Sequence, residues 1–155
     1  MDALVSLPEN RVIRENISLG TTSLEGFLLI FESYLVDRTN HFDHAVRELA
    51  VQALTSGGKR IRPALVHACG AGNLAVSENL IKAAAIVEFV HVATLVHDDV
   101  LDDASIRRDR QTVYADRGAT AAILLGDALF AHALEMASEF PENEVCRWVA
   151  AATRR

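Results

Sequence analysis

The stretch ENLIKAAAIVEFVHVATLVHDDVLDD, residues 78–103, decides the architecture. It is far longer than a strand, and its Ala, Leu, Ile and Val residues cover nearly every side of a 3.6-residue period. Ser77 stands at an N-cap position with Glu78 in the first turn, so a helix from Ser77 to about Asp102 is predicted. Advancing about 100° per residue from His91 puts Thr94 near −60°, Asp98 near −20°, Asp102 near +20° and Glu88 near +60°. These residues form one polar stripe on an otherwise apolar helix. Such a helix belongs inside a bundle, with the stripe facing a cavity rather than bulk solvent.

The flanking sequence repeats the helical pattern. Thr22 and Glu25 have capping-box spacing and predict a helix from near Thr22 to about Val36. A second is predicted over His41–Leu54, stopped by Ser56, Gly57 and Gly58, and a third runs from the turn containing Pro63 to about Cys69. After a charged loop at 103–111 come helices over about Ala119–Phe140 and from Glu142 onward. Period-2 alternation does not recur, and aromatics make up 6% of the chain, so the fold class is all-α with no internal domain boundary.

The chain has 155 residues, 50% hydrophobic and 23% charged, which excludes a disordered polymer. Two cysteines cannot staple a fold of this size, so Cys69 and Cys146 are expected to be buried, small and apolar in a reducing compartment. A net charge of −6 with clustered cations argues against a nucleic-acid partner. Met1–Asn10 has no apolar signal region. The runs 83–96 and 119–131 are interrupted by Glu88 and His91 and by Gly126 and Asp127, short of the ~20 residues of a transmembrane segment. None is expected, and the expected location is cytoplasmic.

Asp98, Asp99, Asp102 and Asp103 place four carboxylates in six positions near a helix C-terminus, where like charges and the macrodipole both disfavour them. A cation should offset that repulsion. Oxygen ligands without Cys or clustered His suit Mg²⁺, which keeps waters and bridges carboxylates to phosphates. An EF-hand does not fit, because the acids lie in a helix with no Gly at the sixth position and no Glu at the twelfth.

Two basic strings complete the pattern. Gly57-Gly58-Lys59-Arg60-Ile61-Arg62-Pro63 sets three cations at a helix entrance, and Ile106-Arg107-Arg108-Asp109-Arg110 follows the acids directly. A solvated turn and a surface tangle with Asp103 and Asp109 are the plainer readings of these strings taken singly. Beside a Mg²⁺ site, they point to two phosphorylated substrates. His91 lies on the stripe and is a candidate ligand contact, while His97 and Gly126-Asp127 are expected to support the site structurally. No nucleophile and base constellation emerges.

Together, GGKRIRP (57–63), VEFVHVATLVHDDVLDDASIRR (87–108) and LLGDALF (124–130) resemble the trans-type polyprenyl diphosphate synthases in order and spacing. The resemblance implies a mostly antiparallel helical bundle around a central cavity, usually homodimeric. It implies that Asp98, Asp99 and Asp102 form the first aspartate-rich motif, with metal ligation and catalysis centred there. By the same resemblance Lys59, Arg62, His91 and Arg108 contact isopentenyl diphosphate, and Arg107 contacts the allylic diphosphate. The reaction implied is head-to-tail condensation of those two substrates through a carbocation. Small Ala93 and Thr94 before the motif lean toward products longer than fifteen carbons.

Two departures stand out. Asp109 occupies a position that is usually Gly in the family, and no second aspartate-rich motif occurs in the chain. Residues 1–155 are therefore expected to be the N-terminal half of one isoprenoid synthase domain, inactive alone and paired with a second copy or a complementing C-terminal half. A class I terpene cyclase has no need of an isopentenyl site at Lys59, Arg62 and His91. A non-catalytic partner subunit of a full-length synthase is the alternative from a different functional class.

Overall fold

The protein is described by a computed structural model covering residues 23–70 and 76–154. Helix α1 spans Leu24–Arg38, and a 3₁₀ turn, Thr39–His41, leads to α2 at His44–Leu54. The others are α3 at Ile61–Gly70, α4 at Glu78–Leu101, α5 at Val113–Arg117, α6 at Ala119–Ser138 and α7 at Glu144–Thr153. The all-α expectation holds. The expected start at Thr22 lies outside the described residues, and Ser23 caps α1 by accepting from the Gly26 amide at 3.1 Å. The Ser77 hydroxyl caps α4 in the same way, accepting from the Leu80 amide at 3.2 Å.

Helices α4 and α6 form the central pair. Lys82 meets Glu139, Phe89 meets His132, and His97 meets Gly126, so one chain index rises as the other falls and the helices run antiparallel. Small side chains, Ala84, Ala85 and Ala93 on one helix and Ala122, Ala133 and Ala137 on the other, are buried along this pair. Phe27, Ile30, Phe31, Tyr34 and Leu35 give α1 a buried stripe at helical spacing. It crosses α3 and α4, with Phe27 against His67 and the carboxylate of Glu32 facing the same guanidinium as Glu88.

Several expectations are corrected. The predicted charged loop contains a two-residue antiparallel ribbon, β1 at Ile106–Arg107 with β2 at Arg110–Gln111. Its turn residues Arg108 and Asp109 have φ of 53° and 60°, the left-handed pair of a tight hairpin. The short α5 was not expected; the Thr112 hydroxyl caps it by accepting from the Ala115 amide at 3.1 Å. Cys69 is exposed rather than buried, because it lies about 120° round α3 from buried Pro63, and Cys146 is half-buried. Helices α4 and α6 are, by length and composition alone, long and apolar enough to cross a membrane, contrary to the reading from interrupted runs. Here part of that apolar surface packs one helix against the other, 50% of the α4 stretch and 39% of the α6 stretch being buried.

Candidate functional site

The Gly57-Gly58 turn has φ of +85° and +144° and delivers the chain to α3. Arg60 follows with φ of +46°, uncommon for a residue other than glycine, and its guanidinium is tied down by four hydrogen bonds. Its Nε and Nη2 donate to the two Glu32 oxygens at 2.6 and 3.0 Å, Nη1 donates to Glu88 at 2.7 Å, and Nη2 also donates to the Leu54 carbonyl at 2.7 Å. Of the three cations in the string, Arg60 is thus committed to carboxylates. Lys59 and Arg62 remain exposed.

From the other side, the ribbon brings Arg108 onto the Gly57-Gly58 turn, where Nη1 donates to the Gly57 carbonyl. A Cβ on Gly58 would stand 2.6 Å from that nitrogen, a contact the flexible end of the arginine can relieve; the φ of +144° is what requires glycine. Gly58, Lys59, Arg62, His91 and Arg108 consequently line one cleft of about 540 Å³. All four residues assigned by resemblance to isopentenyl diphosphate come together here. Burial, and then the nearby charges of Arg62, Arg108 and Arg107, hold the His91 imidazole below its ordinary pKa, partly opposed by Glu88. A neutral imidazole results, able to hydrogen-bond an anion.

Two helical turns along α4 the acidic run divides. Asp98 and Asp102 are exposed, one turn apart, and neither side chain is hydrogen-bonded or ion-paired among the described residues. Asp99 faces inward, with a side-chain exposure of 8%, and accepts from Arg107 Nε at 2.7 Å. Asp103, at φ of +51°, accepts from the Tyr114 hydroxyl, which pushes the phenol pKa up. Among the described residues no three acidic or histidine side chains converge into a cage. Two unpaired carboxylates fit Mg²⁺, which retains waters and completes its shell with phosphate oxygens. Arg110 makes no ion pair among the described residues, so the surface tangle with Asp103 and Asp109, the plainer reading of this string, does not form there.

The other stripe residues turn to different tasks. Glu88 meets Arg60, and the Thr94 hydroxyl donates to the His91 carbonyl at 2.7 Å. His97 Nε2 lies 3.3 Å from the Ile123 carbonyl and 3.4 Å from Asp127 Oδ1, over Gly126, where a Cβ would collide with the ring. Asp127 itself is exposed. Beyond His91 and Arg62 an apolar groove of about 470 Å³ runs between α4 and α7, walled by Val87, Val90, Thr94, Val145 and Trp148. Ala93, expected beside Thr94 on the product path, is buried in the core at 2% exposure, since successive helical residues point about 100° apart. Sequence reasoning missed the Arg60 clamp, because nothing in the order of residues brings Glu32 and Glu88 to one guanidinium.

An all-α bundle with these motifs is the fold of the isoprenoid synthases. A profile of the polyprenyl synthetase family matches residues 43–155, and the chain belongs to that family of prenyltransferases. It is 36% identical over 109 residues to octaprenyl diphosphate synthase of Haemophilus influenzae, covering 70% of this chain and 33% of that protein. It is 42% identical over 92 residues to heptaprenyl diphosphate synthase component 2 of Geobacillus stearothermophilus, covering 59% and 29%. The solved polyprenyl synthase of Caulobacter crescentus CB15, complexed with calcium and isoprenyl diphosphate, matches with a TM-score of 0.76 and 32% identity over 92% of this chain and 42% of that one. The chain thus spans about a third of the length of the curated relatives it matches.

Proposed function

We propose that this chain supplies the isopentenyl site and the first aspartate-rich motif of a trans-polyprenyl diphosphate synthase, which condenses isopentenyl diphosphate head-to-tail with an allylic diphosphate. The observation that carries the reading is continuity: Arg62 and His91 line both the cationic cleft and the apolar groove. Isopentenyl diphosphate, with a charged head and a short apolar tail, matches that junction. Lys59, Arg62, Arg108 and neutral His91 bind and orient the isopentenyl diphosphate, with the forked donors of arginine suited to phosphate oxygens. Arg107, oriented by Asp99, meets the allylic diphosphate, and Asp98 and Asp102 hold Mg²⁺. When bound, the metal offsets the charge of the departing pyrophosphate. The apolar wall from Val87 to Thr94 excludes water from the allylic cation until the isopentenyl double bond attacks and a proton is lost.

In this reading residues 1–155 form the N-terminal half of one synthase domain, acting as a homodimer or with a complementing C-terminal half in the cytoplasm. The small share of its relatives' length supports that division. The two-component naming of the Geobacillus relative favours a second reading, a partner subunit that tunes a full-length synthase. Calorimetric titration with isopentenyl diphosphate tests the site directly. Micromolar binding that disappears in Lys59→Ala and Arg62→Ala supports it, and equal binding by both variants sinks it. Adding a complementing half and an allylic primer then separates the two readings. Turnover lost in Asp98→Ala indicates catalysis by this chain, whereas turnover indifferent to Asp98 and Arg107 indicates a tuning subunit.

A further inference from the structure

We infer that Arg60 is a positioning residue that masks Glu32 and Glu88, keeping the cleft beside it cationic without touching the diphosphate itself. The inference rests on the proposed diphosphate site, since the cleft it protects is the one lined by Lys59, Arg62, His91 and Arg108, to whose wall Arg60 and Glu88 also contribute. Arg60 belongs by sequence to the same basic string as Lys59 and Arg62, yet its side chain is only 9% exposed. Three of its nitrogens already donate to four acceptors, two on Glu32, one on Glu88 and one on the Leu54 carbonyl. The Phe31 ring covers the guanidinium carbon at 5.9 Å. Such a group has almost no donor left for a ligand.

Its position gives the masking a purpose. Glu88 lies one helical turn before His91, with a side-chain exposure of 6%, and lines the same cleft. An uncompensated carboxylate there would repel a diphosphate through a medium of low dielectric, and would draw the neighbouring cations toward itself. Arg60 cancels that charge at its source. The same four bonds anchor the side chain of Arg60, whose backbone is left-handed at φ of +46°, between Lys59 and Arg62 in the chain. The planar fork of arginine meets two carboxylates and a carbonyl together, while the masking of Glu88 requires only its positive charge.

The test uses the whole chain and two probes, inorganic pyrophosphate and isopentenyl diphosphate, titrated calorimetrically, together with the His91 titration followed by NMR. Arg60→Met is expected to weaken both ligands by at least about tenfold and to move the His91 pKa up, as Glu88 becomes uncompensated. Arg60→Met/Glu88→Gln is expected to recover binding to within about threefold and to return the His91 titration toward its original value. Should Arg60→Met fail to fold, Arg60→Lys, which keeps the charge beside Glu88, is expected to bind within about threefold of the unaltered chain. A double variant as weak as Arg60→Met, an unmoved His91 titration, or a folded Arg60→Lys as weak as the loss of charge predicts, overturns the inference. If the unaltered chain binds neither probe, the proposed function fails, while the histidine titration still decides the role of Arg60.

Discussion

Asp99 Oδ1 accepts from Arg107 Nε at 2.7 Å, and this pair separates the second aspartate of the acidic run from its neighbours. Asp98 and Asp102 are exposed on α4 with no side-chain partner among the described residues, while Asp99 reaches across to the ribbon. The three aspartates therefore have different consequences when altered. Asp98→Ala and Asp102→Ala should each abolish Mg²⁺ binding without lowering the melting temperature, since each removes a like charge near the helix C-terminus. Asp99→Asn should cost about 1–3 kcal/mol, discounted for the part-exposed Arg107, and free the arginine. Thermal melts alongside Mg²⁺ titrations check both, and equal loss of metal with no stability change in Asp99→Asn would contradict the division.

The turn residue Asp109 sits at φ of +60°, a conformation glycine adopts without steric cost. The family's usual Gly at this position has a physical reason in that torsion. Asp109→Gly should leave the ribbon intact and stabilise the folded chain by about 0.5–1 kcal/mol, measured by urea unfolding. A loss of stability would mean that the aspartate side chain contributes more than its backbone costs.

Gly126 answers to close approach, whereas Gly58 is held first by its φ of +144°, with the Arg108 guanidinium packed against it. Gly126→Ala should drive the His97 ring off α6 and destabilise by about 1–3 kcal/mol, as overpacking does. Gly58→Ala should displace Arg108 from the cleft and weaken diphosphate binding with a smaller effect on the core. Comparing melts with pyrophosphate titrations distinguishes the two, and the opposite pattern would refute the assignments.

Acid should loosen the end of the bundle around His132. Burial, and then the Arg38 guanidinium, lower the His132 pKa, against the opposing hydrogen bond to Glu135. The unfolded chain therefore takes up a proton that the folded chain resists. Stability is full above the unfolded value of about 6.5 and is lost as pH falls through it toward the folded pKa. Melting temperatures between about pH 7.5 and 5.5 should fall, and His132→Gln should flatten the slope. A slope unchanged in that variant would assign the effect elsewhere, to His91 first.

Much of the fold was legible because helical periodicity is a local property. The Ser77 cap, the Pro63 turn and the apolar faces of α4 and α6 depend on neighbours within a few positions, and all three are found as read. The ribbon and α5 were not legible: two-residue strands carry no periodic signal, and the Thr112 cap is one hydroxyl within a charged stretch. The cationic residues of the cleft could be named from their strings, but those strings did not tell which cations face a ligand. Arg60 and Lys59 are adjacent and chemically alike, yet one is buried against two glutamates and the other is exposed.

The sequence alone determined that this chain is helical, that its longest helix carries a polar stripe, and which family's motifs it bears, since each rests on residue types at fixed spacing. Tertiary structure decided how those residues divide their labour. It turned Asp99 to Arg107 and left Asp98 and Asp102 free; it paired Glu88 with Arg60, buried Ala93, and joined the cleft to the groove at Arg62 and His91. The physical reason is that ion pairs and desolvation act between groups close in space, and only packing the antiparallel helices brings residues as far apart as Glu32 and Glu88 within reach of one guanidinium.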